Sequence, residues 1–117
     1  MKEISKSKIE SFLTEFRTKM DVFDVIFENR EKNIQALLDL EITSVRRKQY
    51  LRSLLVEDYI SGPNADTNDK SRFPYWEFGK SIKNKDVYIK ISLNKENKSV
   101  ICISFHLAEF PLKYRYK

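Results

Sequence analysis

The chain holds one cysteine, one histidine, two glycines and three prolines in 117 residues. Cys102 has no partner for an internal disulfide, and its apolar surroundings read as a buried, reduced thiol. So little glycine and proline leaves no long flexible linker, and residues 1–117 read as a single domain around one core. No apolar run approaches the ~20 residues of a membrane helix. The opening "MKEISKSKIESF" has no apolar signal core. A cytoplasmic protein without membrane contact is the expectation. A Gly-rich phosphate loop, zinc-type spacing and a paired-carboxylate metal site are also missing. Asp66 and Asp69 are too weak a pair in a loop to build a metal site, and no cofactor is expected.

What is present is a foldable composition, with 41% hydrophobic, 13% aromatic and 33% charged residues. The net charge is +5 and is unevenly distributed. Residues 1–60 carry 11 Lys/Arg against 11 Asp/Glu, whereas residues 61–117 carry 11 against 6. The whole positive excess therefore sits in the second half. Such a field favours phosphate-bearing or acidic partners, although a lysine-rich solvated surface has the same composition.

Residues 5–20 space Ile9, Phe12, Leu13, Phe16 and Met20 at helical intervals, with Ser5 or Ser7 as cap. "VFDVIFE" (22–28) is short and branched and reads as a strand. Asn29 is placed to cap a second helix carrying Ile34, Leu37, Leu38 and Leu40. Thr43 or Ser44 is placed to cap a third carrying Val45, Leu51, Leu54 and Leu55. "EDYISGPNADTNDKSRFP" (57–74) reads as a break in regular structure. Three strands follow, "YWEFGKSI", "DVYIKISLN" and "SVICISFHL", joined by the hairpin-like "KNK" and "NKENK". Strict alternation sends Trp76 and Phe78 inward with Val87, Ile89, Ile91 and Leu93. It groups Ile101, Ile103, Phe105 and Leu107 on the core face and Val100, Cys102, Ser104 and His106 on the other. The expected fold is α+β, with about three N-terminal helices on one face of a small antiparallel sheet.

The polar sheet face then collects Glu77, Tyr88, Lys90, Ser104 and His106; Tyr114, Arg115, Tyr116 and Lys117 can lie nearby, but the sequence does not fix the tail. These residue types suit RNA cleavage without a metal. A base removes the ribose 2′-OH proton, a cation stabilises the phosphorane, and an acid protonates the leaving 5′-oxygen. Glu77 or His106 can be the base, Lys90 or Arg115 can hold phosphate, and Tyr88 or His106 can be the acid. Aromatic side chains offer stacking surfaces for unpaired bases. Plain solvation accounts for Tyr, Lys and Ser on an outward strand face equally well, and Glu77 can simply pair with a lysine. Glu109 reads as an exposed cap or a tail-pairing residue.

The stretches "EDYISGP", "YWEFGK", "DVYIKISL" and "ICISFHLAEFPLKYRYK" resemble the MqsR-type toxins of bacterial type II toxin–antitoxin modules and, more distantly, the RelE-type mRNA interferases. The likeness runs from Ile9 to Lys117, and its most specific pieces are "WEFGK", "VYIKI" and "ISFHLAEFPLKY". It implies an α+β RelE/MqsR-like fold and an endoribonuclease that cuts mRNA, free or on the ribosome. It also implies a cognate antitoxin protein as silencing partner. Tyr88 stands at the family's tyrosine in "VYIKI". Elsewhere the chain departs from the pattern: Glu77 replaces a glutamine, Ser61 or Gly62 stands where a catalytic lysine belongs, and His106 replaces a lysine. The resulting candidates are His106, Tyr88 and Glu77 for catalysis. Lys90, Lys80, Arg115, Tyr114 and Lys117 are the candidates for RNA binding. The competing expectation is a non-catalytic module that binds RNA or a protein through the basic sheet face.

Overall fold

The computed structural model describes residues 4–66 and 73–117, so Asp69 and the middle of the 57–74 break lie outside the described residues. The first helix, α1, spans Lys6–Phe23. The Ser5 hydroxyl caps it by accepting from the Lys8 N–H, which satisfies one of the donors a helix start leaves free. Ile9, Phe12, Leu13, Phe16 and Met20 form its buried stripe. The helix ends where Asp24 turns left-handed at φ 69°, its N–H bonding Met20 O. Val22 and Phe23, expected at the start of a strand, are therefore its last turn. Only Val25–Phe27 are extended, forming β1.

The second helix, α2, spans Glu31–Asp39, and the third, α3, spans Ser44–Arg52. Thr43 caps α3 through its side chain. The cap position of α2 is Arg30 rather than the expected Asn29, and no side chain bonds there. Ile34, Leu38, Val45 and Leu55 fit helical spacing but are exposed, while Asn33, Ala36, Leu40, Leu51 and Leu54 are buried. Packing covers only one side of each short helix, so an apolar period does not by itself choose the buried face.

After a single 3-10 turn at Val56–Asp58 come β2 (Tyr59–Asn64), β3 (Tyr75–Ile82), β4 (Lys85–Ser92) and β5 (Val100–Leu107). The strand β2 lies inside the stretch expected to be irregular. Its pairing with β3 slips twice. Gly62 sits at φ +124°, where a Cβ would stand 2.9 Å from Trp76 Cα. Glycine is the residue that fits this close crossing. Lys83 and Asn84 both have positive φ and make the tight turn between β3 and β4.

The sheet order is β1-β5-β4-β3-β2. It is mixed rather than purely antiparallel, because β1 runs parallel to β5. The chain between these two strands includes α2, α3 and the other strands, which is long enough for the crossover that parallel pairing requires. The fold is α+β. Phe12 stacks on Trp76 with ring centroids 4.0 Å apart. Phe16, Phe78, Ile89, Ile91 and Phe105 complete the centre of the core. Among the described residues, no helix is long and apolar enough to cross a membrane.

The strand β5 does not keep strict alternation. Ile91 pairs with Cys102 and Lys90 with Ser104, so Ile103 is an extra residue in the ladder. This bulge reverses the phase of the strand. Before it, Val100 and Cys102 join the core and Ile101 takes the open side, opposite to the expectation. After it, Phe105 is buried in the core, while Ser104 and His106 pair across from Lys90 and Tyr88. Asn33 supports the irregularity from α2. Its amide donates to Ile103 O and Glu28 O, and its carbonyl accepts from Phe105 N–H. One buried side chain thus replaces the strand partner that β5 loses where β1 stops at Phe27.

Candidate functional site

The open sheet face is organised by register into two rows. Ser61, Glu77, Lys90 and Ser104 are successive cross-strand partners, and Gly79, Tyr88 and His106 form the next row. Of these residues, Glu77, Tyr88, Lys90, Ser104 and His106 floor a trough of about 880 Å³. Arg30, Glu31 and Lys32 at the start of α2 line one wall, and Ile60 with residues 108–113 line the other.

The tail makes that second wall because it is tied at several points. Ala108 N–H bonds Asp86 O beside the end of β5, and Arg115 N–H bonds Tyr59 O on β2. Tyr116 donates its hydroxyl proton to Ile4 O. Between these ties the tail crosses the sheet over Gly79. A Cβ there would stand 2.6 Å from Leu112 Cδ1 and 2.8 Å from the Tyr114 hydroxyl. A side chain there would have to push aside the tips of the Leu112 and Tyr114 side chains.

On the floor, Glu77 is the hub. Ser61 donates to its Oε1 and Tyr88 to its Oε2, while Asn64 donates to the Ser61 hydroxyl. Burial, then the hydrogen bond to Glu77, pushes the Tyr88 phenol far above its ordinary pKa. Both favour the neutral phenol, because the low-polarity site and the neighbouring carboxylate oppose a phenolate. The His106 ring lies 5.5 Å from the Tyr88 ring, centroid to centroid. Its Nδ1 is 2.9 Å from Leu107 O. A carbonyl can only accept, so Nδ1 is the donor in this contact and Nε2 is the ring nitrogen left for other partners. Lys90 Nζ stands 4.0 Å from the Tyr75 ring centroid, which holds the ammonium over the aromatic face.

The structure therefore brings together Glu77, Tyr88, Lys90 and His106. It separates the other four candidates from them. Lys80 shares strand parity with Trp76, Phe78 and Ile82, and its Nζ meets Asp58 at 3.3 Å on the helix side of the sheet. The inward assignment of Trp76 and Phe78 already carried that signal. Tyr114 packs at Gly79, where burial raises its phenol pKa, and its hydroxyl has no partner among the described residues. Arg115 is held by its backbone to β2, and Lys117 lies over the Tyr114 ring at 4.5 Å. The trough lining ends at Lys113, and these three follow it in the chain.

Arg30 and Lys32 on the α2 wall were not expected. They belong to the half of the chain whose charges cancel, so no count along the sequence singles them out. Arg30 pairs with Glu28, and Lys32 with Glu109 at 2.7 Å. Glu109 is thus tied to α2 rather than to the tail. Cys102 is fully buried, and burial pushes its thiol pKa up, away from thiolate chemistry.

Comparison with known proteins gives no match: no family model, no curated protein and no solved structure is significantly similar to this chain.

Proposed function

We propose that this protein is the toxin of a type II toxin–antitoxin module and cleaves mRNA in the trough without a metal. The likeness of its strands to the MqsR-type toxins suggests the reading. The observation that carries it is the cross-strand grouping of His106, Tyr88, Glu77 and Lys90 on one open face.

The geometry divides the roles. Both Glu77 oxygens already accept hydrogen bonds, so Glu77 orients Tyr88 and is poorly suited to act as base. Tyr88 keeps its proton and donates it in the hydrogen bond to Glu77, so it is not the acid, and its phenol oxygen is left to accept a hydrogen bond from the substrate. That leaves His106 for the proton transfers. Its Nε2 takes the proton from a ribose 2′-OH, the 2′-oxygen bonds to phosphorus, and the bond to the 5′-oxygen breaks. The imidazolium then returns the proton to the departing 5′-oxygen. The products are a 2′,3′-cyclic phosphate and a 5′-hydroxyl, and neither water nor metal is consumed. Lys90 supplies positive charge beside the phosphorane. A cognate antitoxin protein is the expected silencing partner.

The test is induction in cells followed by mapping of RNA 5′ ends, alongside purified protein incubated with RNA. New 5′-hydroxyl ends that are insensitive to chelator and absent with His106→Ala support the proposal. Growth arrest of equal strength by wild type and His106→Ala removes His106 from the mechanism. The competing reading is a module that binds RNA without cutting it. It draws support from Glu77 and Tyr88 bonding each other. It predicts intact transcripts and salt-sensitive binding.

A further inference from the structure

Phe110 stands out from the rest of the trough. Ile60 and Leu112 on the same wall are partly covered, whereas this ring is 81% exposed. Exposing a full aromatic surface is unfavourable by itself. The position is held from both sides: the preceding Ala108 N–H bonds Asp86 O, Pro111 follows, and Leu112 packs at Gly79. The ring also lines two hollows at once. One is the trough, and the other is a smaller hollow of about 440 Å³ formed with Lys85, Asp86 and Leu107. An exposed, anchored aromatic between two hollows can present its face to a flat group, with a hollow on either side of it.

We infer that Phe110 is a stacking platform for an unpaired base of single-stranded RNA, and that it sets how the strand enters the trough. The inference rests on the ribonuclease reading above and adds the substrate class. Charge favours this occupant. Arg30 and Lys32 on the α2 wall are ion-paired, with Glu28 and Glu109, whereas Lys90 and Lys113 line the trough without an ion pair among the described residues. A strand whose phosphates follow these lysines brings its bases towards the aromatic wall. Stacking accepts any base, because every base has a π-face. A duplex keeps its bases paired and inside, so it gains nothing from the ring.

The experiment uses the full chain with Phe110→Ala and Phe110→Trp. The probes are a fluorescein-labelled 12-nucleotide RNA of mixed sequence, single-stranded or annealed to its complement, in the same buffer. The residue is exposed, so both variants should keep the wild-type urea midpoint. Phe110→Ala should bind the single strand about ten-fold more weakly and the duplex as wild type does. Phe110→Trp should restore single-strand affinity, and its added indole emission should be quenched by the single strand. Equal binding of the single strand by wild type and Phe110→Ala overturns the inference, as does an equal loss for both probes. If wild type binds the single strand in this Phe110-dependent way but never cuts it, the platform stands and the ribonuclease reading falls. If wild type cuts RNA and Phe110→Ala cuts it with unchanged KM, the reading stands and the platform falls. Loss of binding to a co-expressed partner protein with RNA binding intact reassigns Phe110 to a protein contact and overturns the inference.

Discussion

Phe105 and His106 are neighbours in the chain, yet they belong to opposite faces of one sheet and to different kinds of chemistry. On the helix side, Phe105 is fully buried with Phe16, Phe78 and Ile89 in the hydrophobic core. On the open side, His106 meets Tyr88, Glu77 and Lys90 in a polar trough. The closed face stabilises by excluded water and close packing. The open face leaves polar groups half-covered, which is where a protein can hold reactive side chains at some expense of stability. Both arrangements depend on the bulge at Ile103, which sets the phase of the strand for the two residues together.

Truncating each member of the pair is the strongest way to break this contrast. Phe105→Ala should lower unfolding free energy by about 3–5 kcal/mol through the lost transfer and the cavity left behind, read by urea denaturation. His106→Ala should lower RNA cleavage by about 10²- to 10⁴-fold and leave the urea midpoint near wild type. A large midpoint loss in His106→Ala would mean that the open face is part of the packing. Asn33→Ala tests the element that joins the faces. Removing it leaves Ile103 O and Phe105 N–H buried without their partner, a cost of about 1–3 kcal/mol. If the midpoint does not change, the bulge holds its register without Asn33.

A smaller effect is expected from Tyr88. Its phenol pKa is raised in the folded state, so the folded protein holds that proton more tightly than the unfolded chain does. The stabilising contribution is fully present below the ordinary value of 10.0 and is lost as pH rises above it. Urea midpoints measured from pH 8 to 11 should therefore fall less steeply for Tyr88→Phe than for wild type. Equal slopes would mean that the phenol is not buried as described. The smallest effect belongs to Glu109→Gln, since the Lys32–Glu109 pair is half-exposed on the rim and such pairs contribute little. Its urea midpoint should match wild type in 0.15 M salt, and a clear drop would show that the rim pair ties α2 to the tail.

Much of the fold was legible in residue order. The apolar stripe of α1, the Ser5 and Thr43 caps, the β3–β4 turn and the inward Trp76 and Phe78 all follow from local periodicity and turn chemistry. The errors have a common physical origin. Val100, Cys102 and Ile101 were assigned to the wrong faces because a bulge is invisible to a pattern of period two. The strand β2 was missed because its glycine, proline and asparagine are residues that turns also use, and here the close crossing over Trp76 uses them within a strand. Lys80 was grouped with the open-face lysines although its parity with Phe78 turns it the other way.

By itself, the sequence determined the α+β class and the place of Glu77, Tyr88, Lys90, Ser104 and His106 on the open face, because strand alternation and hairpin turns are local. It also put Tyr88 and His106 on one face, a result that survives the bulge because both lie beyond it. Only the tertiary structure decided that β1 joins β5 in parallel, that Arg30 and Lys32 wall the trough, and that its lining ends at Lys113, before Tyr114, Arg115 and Lys117. Only the tertiary structure also turned Glu77 from a candidate base into the acceptor that holds Tyr88. Those outcomes depend on contacts between residues far apart in the chain, where packing and hydrogen-bond satisfaction select among positions that local pattern leaves equivalent.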